Sequence, residues 1–129
     1  MNKKRRCENM NKLQWKRVYE TPENNDGYRI LVDRLWPRGL KKENAKIDYW
    51  AKSITPSAEL RQAYHKEEIN YDTFAEKYGK ELGKNPDFND FMVLIKKHLK
   101  NGNVTLVYAN KIPELSHIPT LKDFINLNL

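Results

Sequence analysis

From Gln14 to Tyr19 apolar and polar side chains alternate in Gln-Trp-Lys-Arg-Val-Tyr, the two-residue period of a strand. Glu20 to Gly27 holds Pro22, Asn24, Asn25, Asp26 and Gly27, which is loop chemistry. Tyr28-Arg29-Ile30-Leu31-Val32 is then apolar at nearly every position, as in a strand covered on both faces. It runs into Asp33-Arg34-Leu35-Trp36-Pro37-Arg38-Gly39, where Pro37 and Gly39 stop regular structure.

Helical spacing dominates the middle of the chain. Lys42 to Ile54 reads as a helix with Ala45, Tyr49 and Trp50 on its apolar side. Thr55 as N-cap and Pro56 at the first helical position open a second, through about Glu68, with Leu60, Ala63 and Tyr64 as its stripe. Tyr71, Phe74, Tyr78 and Leu82 define a third, ended near Gly83. Asn85-Pro86 begins a fourth, with Phe88, Phe91, Met92, Ile95 and Leu99 facing inward and Gly102 as its stop. Val104 to Ala109 is β-branched and short, a strand. Pro113 and Pro119 break the remaining stretch, and Leu121, Phe124 and Ile125 suggest a short terminal helix.

Few strands separated by helical segments predict an α/β class, as one small layered domain with a short, mostly parallel sheet flanked by helices. If the strands at 28–35 and 104–109 lie parallel, their carboxyl ends open on one edge, where open α/β sheets place ligands. No internal repeat, linker or low-complexity tract interrupts this pattern.

Composition narrows the class. The chain has 129 residues, 39% hydrophobic and 32% charged, and its Trp, Tyr and Phe content argues against disorder. The longest apolar run, Phe91 to Ile95, is too short for a membrane span or a signal-peptide core. Cys7 stands alone, so neither an internal disulfide nor a cysteine zinc site is expected, and a cytoplasmic, reducing location is.

The formal charge of +7 raises the question of nucleic acid. Most of it lies in Lys3, Lys4, Arg5, Arg6, Lys12, Lys16 and Arg17, opposed by Glu8 alone. The expected organisation is a basic arm over residues 1–12 and a nearly neutral domain over 13–129. Such an arm either contacts phosphates or simply keeps an exposed terminus solvated. Met10 is an alternative start that would remove Cys7.

Three constellations can carry chemistry. Asp33, Arg34, Trp36 and Arg38 put two guanidinium forks, one carboxylate and a stacking face into a rigid turn. Either Asp33 bridges an arginine internally with Trp36 in the core, or the spare guanidinium accepts an external anion. Arg61 and His65 are four apart on one helix face, with Glu59 nearby. A histidine beside a guanidinium binds anions or moves protons, and an exposed surface histidine is the plainer outcome. Tyr108, Asn110, Lys111 and His117 come after the last strand and can line the same edge. Neither G-x-G-x-x-G nor a P-loop is present, and His65, His98 and His117 have no metal-ligand spacing, so no metal and no cofactor is expected.

Several of these strings resemble the YeaO-like family of uncharacterised bacterial proteins, the DUF four-eight-eight group. The matching segments are Lys16-Arg17-Val18-Tyr19, Gly27 to Gly39, Trp50-Ala51-Lys52, Pro56 to Arg61 and Val104 to Ala109. The resemblance covers the chain from about residue 14 and implies a compact cytosolic α/β protein with no established activity. It carries the family's shared polar positions onto Asp33, Arg34, Arg38, Glu59, Arg61 and His65. Relatives follow the Tyr-Ala pair with an acidic residue, where this chain has Ile112 in Ile112-Pro113-Glu114-Leu115-Ser116-His117. If the family chemistry needs that carboxylate, this chain binds without turnover.

The expected function is binding of a small phosphate- or nucleotide-like anion in an arginine-lined cleft. Asp33, Arg34, Trp36, Arg38, Arg61, Tyr108 and His117 form the binding set, with His65 as candidate proton carrier. The alternatives are a nucleic-acid accessory that uses only the arm, and a protein-interaction module. The residues set no oligomeric state.

Overall fold

The computed structural model describes residues 11–129. Cys7, Met10 and the basic run Lys3 to Arg6 lie outside them. The element order is β1 (Leu13–Arg17), β2 (Tyr28–Leu31), α1 (Lys42–Ala45), β3 (Tyr49–Trp50), α2 (Ala58–His65), α3 (Tyr71–Lys84), α4 (Asp87–Leu99), β4 (Val104–Tyr108) and α5 (Ile118–Asn128). The four strands form one sheet in the order β1-β4-β2-β3, and every pairing is parallel. This is the small α/β domain the alternation of strand and helix patterns predicts.

Both faces of the sheet are covered, which explains why β2 and β4 read as continuous apolar runs. Ile30, Val32, Val104 and Leu106 join Leu60, Phe74, Tyr78, Phe91, Ile95 and Leu121 in the main core. On the other face Val18, Leu31 and Val107 form a smaller cluster, closed by Trp36, Leu40, Ile47 and Trp50 rather than by a long helix.

That second face also buries charge. Asp26 and Arg29 are 1% and 3% exposed, and Arg29 Nη1 donates to Asp26 Oδ2 at 2.6 Å. The rest of the guanidinium donates to the Ala45 carbonyl, and Lys16 Nζ reaches Asp26 at 3.0 Å. Burial pushes the Asp26 carboxyl up, but the Glu23 amide, Lys16 and Arg29 outweigh it and hold the group below the usual carboxylate range. Lys16, grouped by sequence with the basic arm, is thus a structural cation. Arg17 is engaged as well, through Nε and Nη2 on the Ala109 carbonyl.

The helix expected over Lys42 to Ile54 does not form. It stops after one turn because Lys46 adopts a left-handed conformation, φ 51°. The aromatic pair Tyr49-Trp50 then adds a fourth strand beside Ile30 and Leu31, and Lys52–Ile54 make a single 3-10 turn. Local helical spacing lost here to sheet pairing and to the edge-on contact of Trp50 with Trp36, ring centres 5.5 Å apart.

The next helix is also capped differently. Ser57, not Thr55, is its N-cap, and the Ser57 hydroxyl accepts from the Leu60 amide. The Thr55 hydroxyl turns back and donates to the Lys52 carbonyl. At the end of the chain Pro119 starts α5 rather than breaking it, and the helix runs over Ile118–Asn128.

Candidate functional site

A wholly parallel sheet sends all its connections from carboxyl ends on one edge. At that edge β1 exits into Val18-Tyr19, β2 into Val32-Asp33-Arg34, β3 into Ala51-Lys52 and β4 into Ala109-Asn110. Topology therefore brings the segments that carry Asp33-Arg34 and Ala109-Asn110 to one rim, although they lie more than seventy residues apart.

Asp33 is the knot of this rim. Its Oδ2 accepts the Ala109 amide at 2.8 Å, and its own carbonyl accepts the Trp50 indole N–H at 2.7 Å. Its Oδ1 faces His117 Nε2 at 3.6 Å. His117 Nε2 in turn lies 2.7 Å from the Val32 carbonyl, and the Tyr78 ring meets the imidazole edge-on. A carbonyl only accepts, so this nitrogen carries the proton. Burial pushes the imidazole below the usual histidine range; Asp33 and the Val32 carbonyl oppose that, and the Arg61 guanidinium adds to it. Burial likewise pushes the Asp33 carboxyl up, against the pull of His117 and the Ala109 amide.

The segment that carries His117 is fastened from the helical layer. Tyr64 Oη donates to the Leu115 carbonyl and Tyr71 Oη to the Ser116 carbonyl. Both tyrosines read from the sequence as plain apolar stripe residues, and their hydroxyls gave no signal.

The internal Asp33–arginine bridge, one of the two outcomes open in the sequence, is absent among the described residues. Asp33 is spent on Ala109 and His117, and Arg34 Nη1 donates instead to the Pro56 carbonyl at 3.2 Å. Arg38 is exposed, with its carbonyl held by the Tyr19 hydroxyl, and Arg61 is half-buried. Trp36 is a core residue, folded under the turn with its indole donating to the Leu40 carbonyl. Tyr108 leans on the main core. Burial and Glu20 raise its phenol, Arg17 opposes them, and Glu114 adds to the rise. His65 is exposed at the last residue of α2, and the histidine brought to Asp33 is His117.

One anion-binding feature of this edge is already filled. The amino end of α2 opens onto it, but Glu81 from α3 accepts the Ser57 amide at 2.9 Å and the Ser57 hydroxyl at 2.6 Å. The helix terminus is satisfied by an internal carboxylate.

With the rim described, kinship can be read. The sequence profile of a family described as the inactive DUF488-N3 subclade matches residues 12–129. The chain belongs to that subclade. Among the proteins it is similar to, the uncharacterized protein YeaO of Escherichia coli is 45% identical over 113 residues, 88% of this chain and 96% of that one. The uncharacterized proteins Rv3073c of Mycobacterium tuberculosis and Mb3100c of Mycobacterium bovis are each 36% identical over 110 residues, 85% of this chain and 90% of theirs. No solved structure matches the chain. No described helix of this DUF488-N3 member is long and apolar enough to cross a membrane.

Proposed function

We propose that this protein binds a small phosphate- or nucleotide-like anion at the carboxyl edge of its sheet and does not turn it over. One observation carries the reading: among the described residues Arg34, Arg38 and Arg61 pair with no carboxylate, and Arg34 and Arg38 belong to the segment that follows β2. A guanidinium always carries its charge and presents a planar fork of donors that matches phosphate oxygens. Leu35, next to Arg34 in the chain, is exposed and would offer such a ligand's apolar body a surface. Absence of turnover is supported by the description of the subclade as inactive, and by Ile112, an aliphatic residue where the resemblance expects an acid.

The test is calorimetric titration of the full chain with inorganic phosphate and with nucleoside mono- and triphosphates, repeated on Arg34→Ala, Arg38→Ala and Arg61→Ala. Binding that weakens about tenfold in each variant is expected for a lost charge-assisted hydrogen bond. Identical isotherms from wild type and all three variants would refute the site.

A further inference from the structure

The opposite, amino-terminal edge of the sheet carries a second group of cations. Asn11 Nδ2 donates to the Leu99 carbonyl at 2.6 Å, and the Lys12 amide donates to Asn103 Oδ1 at 2.7 Å. The segment that leads into β1 is thus tied to the carboxyl end of α4 and to the turn that follows it. At that end of α4, Lys96, Lys97 and the C-cap residue Lys100 are all exposed. Spacings of three and four put them on one strip, about 6 Å long at 1.5 Å of rise per residue. Lys12, next in the chain to Asn11, is exposed as well. Among the described residues none of these four lysines pairs with a carboxylate. Lysines complement the dipole of a helix end, but that role leaves their ammonium groups open to a partner. The ten residues before Asn11 add Lys3, Lys4, Arg5 and Arg6 against Glu8 alone.

We infer that this edge is a composite docking surface for nucleic acid: the end of α4 supplies Lys96, Lys97 and Lys100, the sequence before Asn11 supplies four further cations, and both engage the phosphate backbone. Read from the sequence, such a role belongs to the arm alone; the bond from Asn11 to Leu99 is what makes the folded domain its second half. Ten residues reach at most about 35 Å from Asn11, which covers about ten steps of about 3.4 Å along one strand. A continuous row of phosphates is the partner that two adjoining basic segments can follow together. A membrane surface fits less well. The apolar side of α4, with Phe88, Phe91, Met92 and Ile95, is spent on the core, and of its apolar residues Val93 alone is exposed for insertion. Recognition here is independent of base sequence, because ammonium groups meet phosphates and Tyr28, the ring beside the end of α4, is already stacked on His98 with ring centres 3.5 Å apart.

Fluorescence anisotropy of the full chain with a labelled DNA duplex of about 20 base pairs and mixed sequence, read between about 50 and 200 mM salt, decides the matter. For about seven neutralised phosphates the slope of log affinity against log salt is expected near about −6. Lys96→Gln, Lys97→Gln and Lys100→Gln combined should make that slope shallower by about 2–3 and weaken binding about tenfold or more at about 100 mM salt. The same three positions changed to Arg should keep both. Lys3, Lys4, Arg5 and Arg6 all changed to Gln should make the slope shallower by about 4. All three α4 positions are exposed, so the variants are expected to melt with wild type, and the Arg set separates charge from structure. Wild-type affinity and slope in either Gln set overturns the composite surface, as does no duplex binding at about 50 mM salt. Tighter binding to phosphatidylserine vesicles than to the duplex overturns the choice of partner.

Discussion

Asp33 accepts the amide of Ala109 at 2.8 Å and so ties the end of β2 to the end of β4, across 76 positions of sequence. This bond fixes the two exits of the rim against each other, and it does so with a carboxylate that is mostly out of water. Replacing Asp33 by alanine leaves the amide unpaired and is expected to cost about 1–3 kcal/mol in urea unfolding. Asp33→Asn keeps a carbonyl acceptor and should cost visibly less. Equal losses from both variants would show that the charge, not the acceptor, is what the fold uses.

The pH dependence of stability stems from His117. Its folded value lies below the unfolded one, so the unfolded chain takes up the proton first on acidification. The stability of the neutral ring is present above about pH 6.5 and is lost as pH falls through that value toward the folded one. Asp33, raised in the fold, acts with the opposite sign: its term favours folding as pH falls through its folded value, and that benefit is lost on the way back up. Thermal melts of ligand-free protein are therefore expected to fall between about pH 7.5 and 5.5. His117→Gln should flatten that slope, and an unchanged slope would assign it elsewhere.

Beneath the sheet, Arg29 and Asp26 form a pair whose two members depend on each other. Removing the guanidinium in Arg29→Ala leaves Asp26 with Lys16 as its one cation among the described residues, beside the Glu23 amide, and takes the donor from the Ala45 carbonyl. The expected loss is about 3–5 kcal/mol by chemical denaturation. A loss below about 1 kcal/mol, the scale of an exposed ion pair, would mean that water enters the cluster.

Gly27 stands at φ 66°, ψ −131°, and a β-carbon there would collide with the Asn103 backbone carbonyl. That close approach is used: the Tyr28 amide donates to the same carbonyl at 3.0 Å and begins the β2–β4 pairing. Gly27→Ala is expected to cost more than about 2 kcal/mol from the backbone conformation and the collision together. A melting temperature within a degree or so of wild type would contradict it.

Much of the fold was legible where one period ran unbroken. Phe88, Phe91, Met92 and Ile95 announce α4, and the apolar strings at β2 and β4 announce strands with two covered faces. Legibility failed where a side chain's distant partner overrode its neighbours. Tyr49 and Trp50 fit a helical stripe as readily as a strand, and only the free edge at Ile30-Leu31 decides between them. Arg29, inside an apolar strand, is the one sign of a buried charge in the sequence, and the spacing Asp26-x-x-Arg29 supplies its partner. The rim behaved likewise. Arg34, Arg38 and Arg61 were visible as residue types, but Asp33 bonding to an amide rather than an arginine depends on where β4 ends.

The strand order has a consequence for how the molecule is made. β4 lies between β1 and β2, and among the described residues β1 pairs with no other strand. As the chain emerges from the ribosome, its first strand waits for residues near 104–108 before it can dock, and the helical layer is synthesised with half its floor missing. Folding must therefore be a late, concerted event that closes long loops at once. Nascent chains halted before Val104 should be open to protease along their whole length, with no stable amino-terminal fragment.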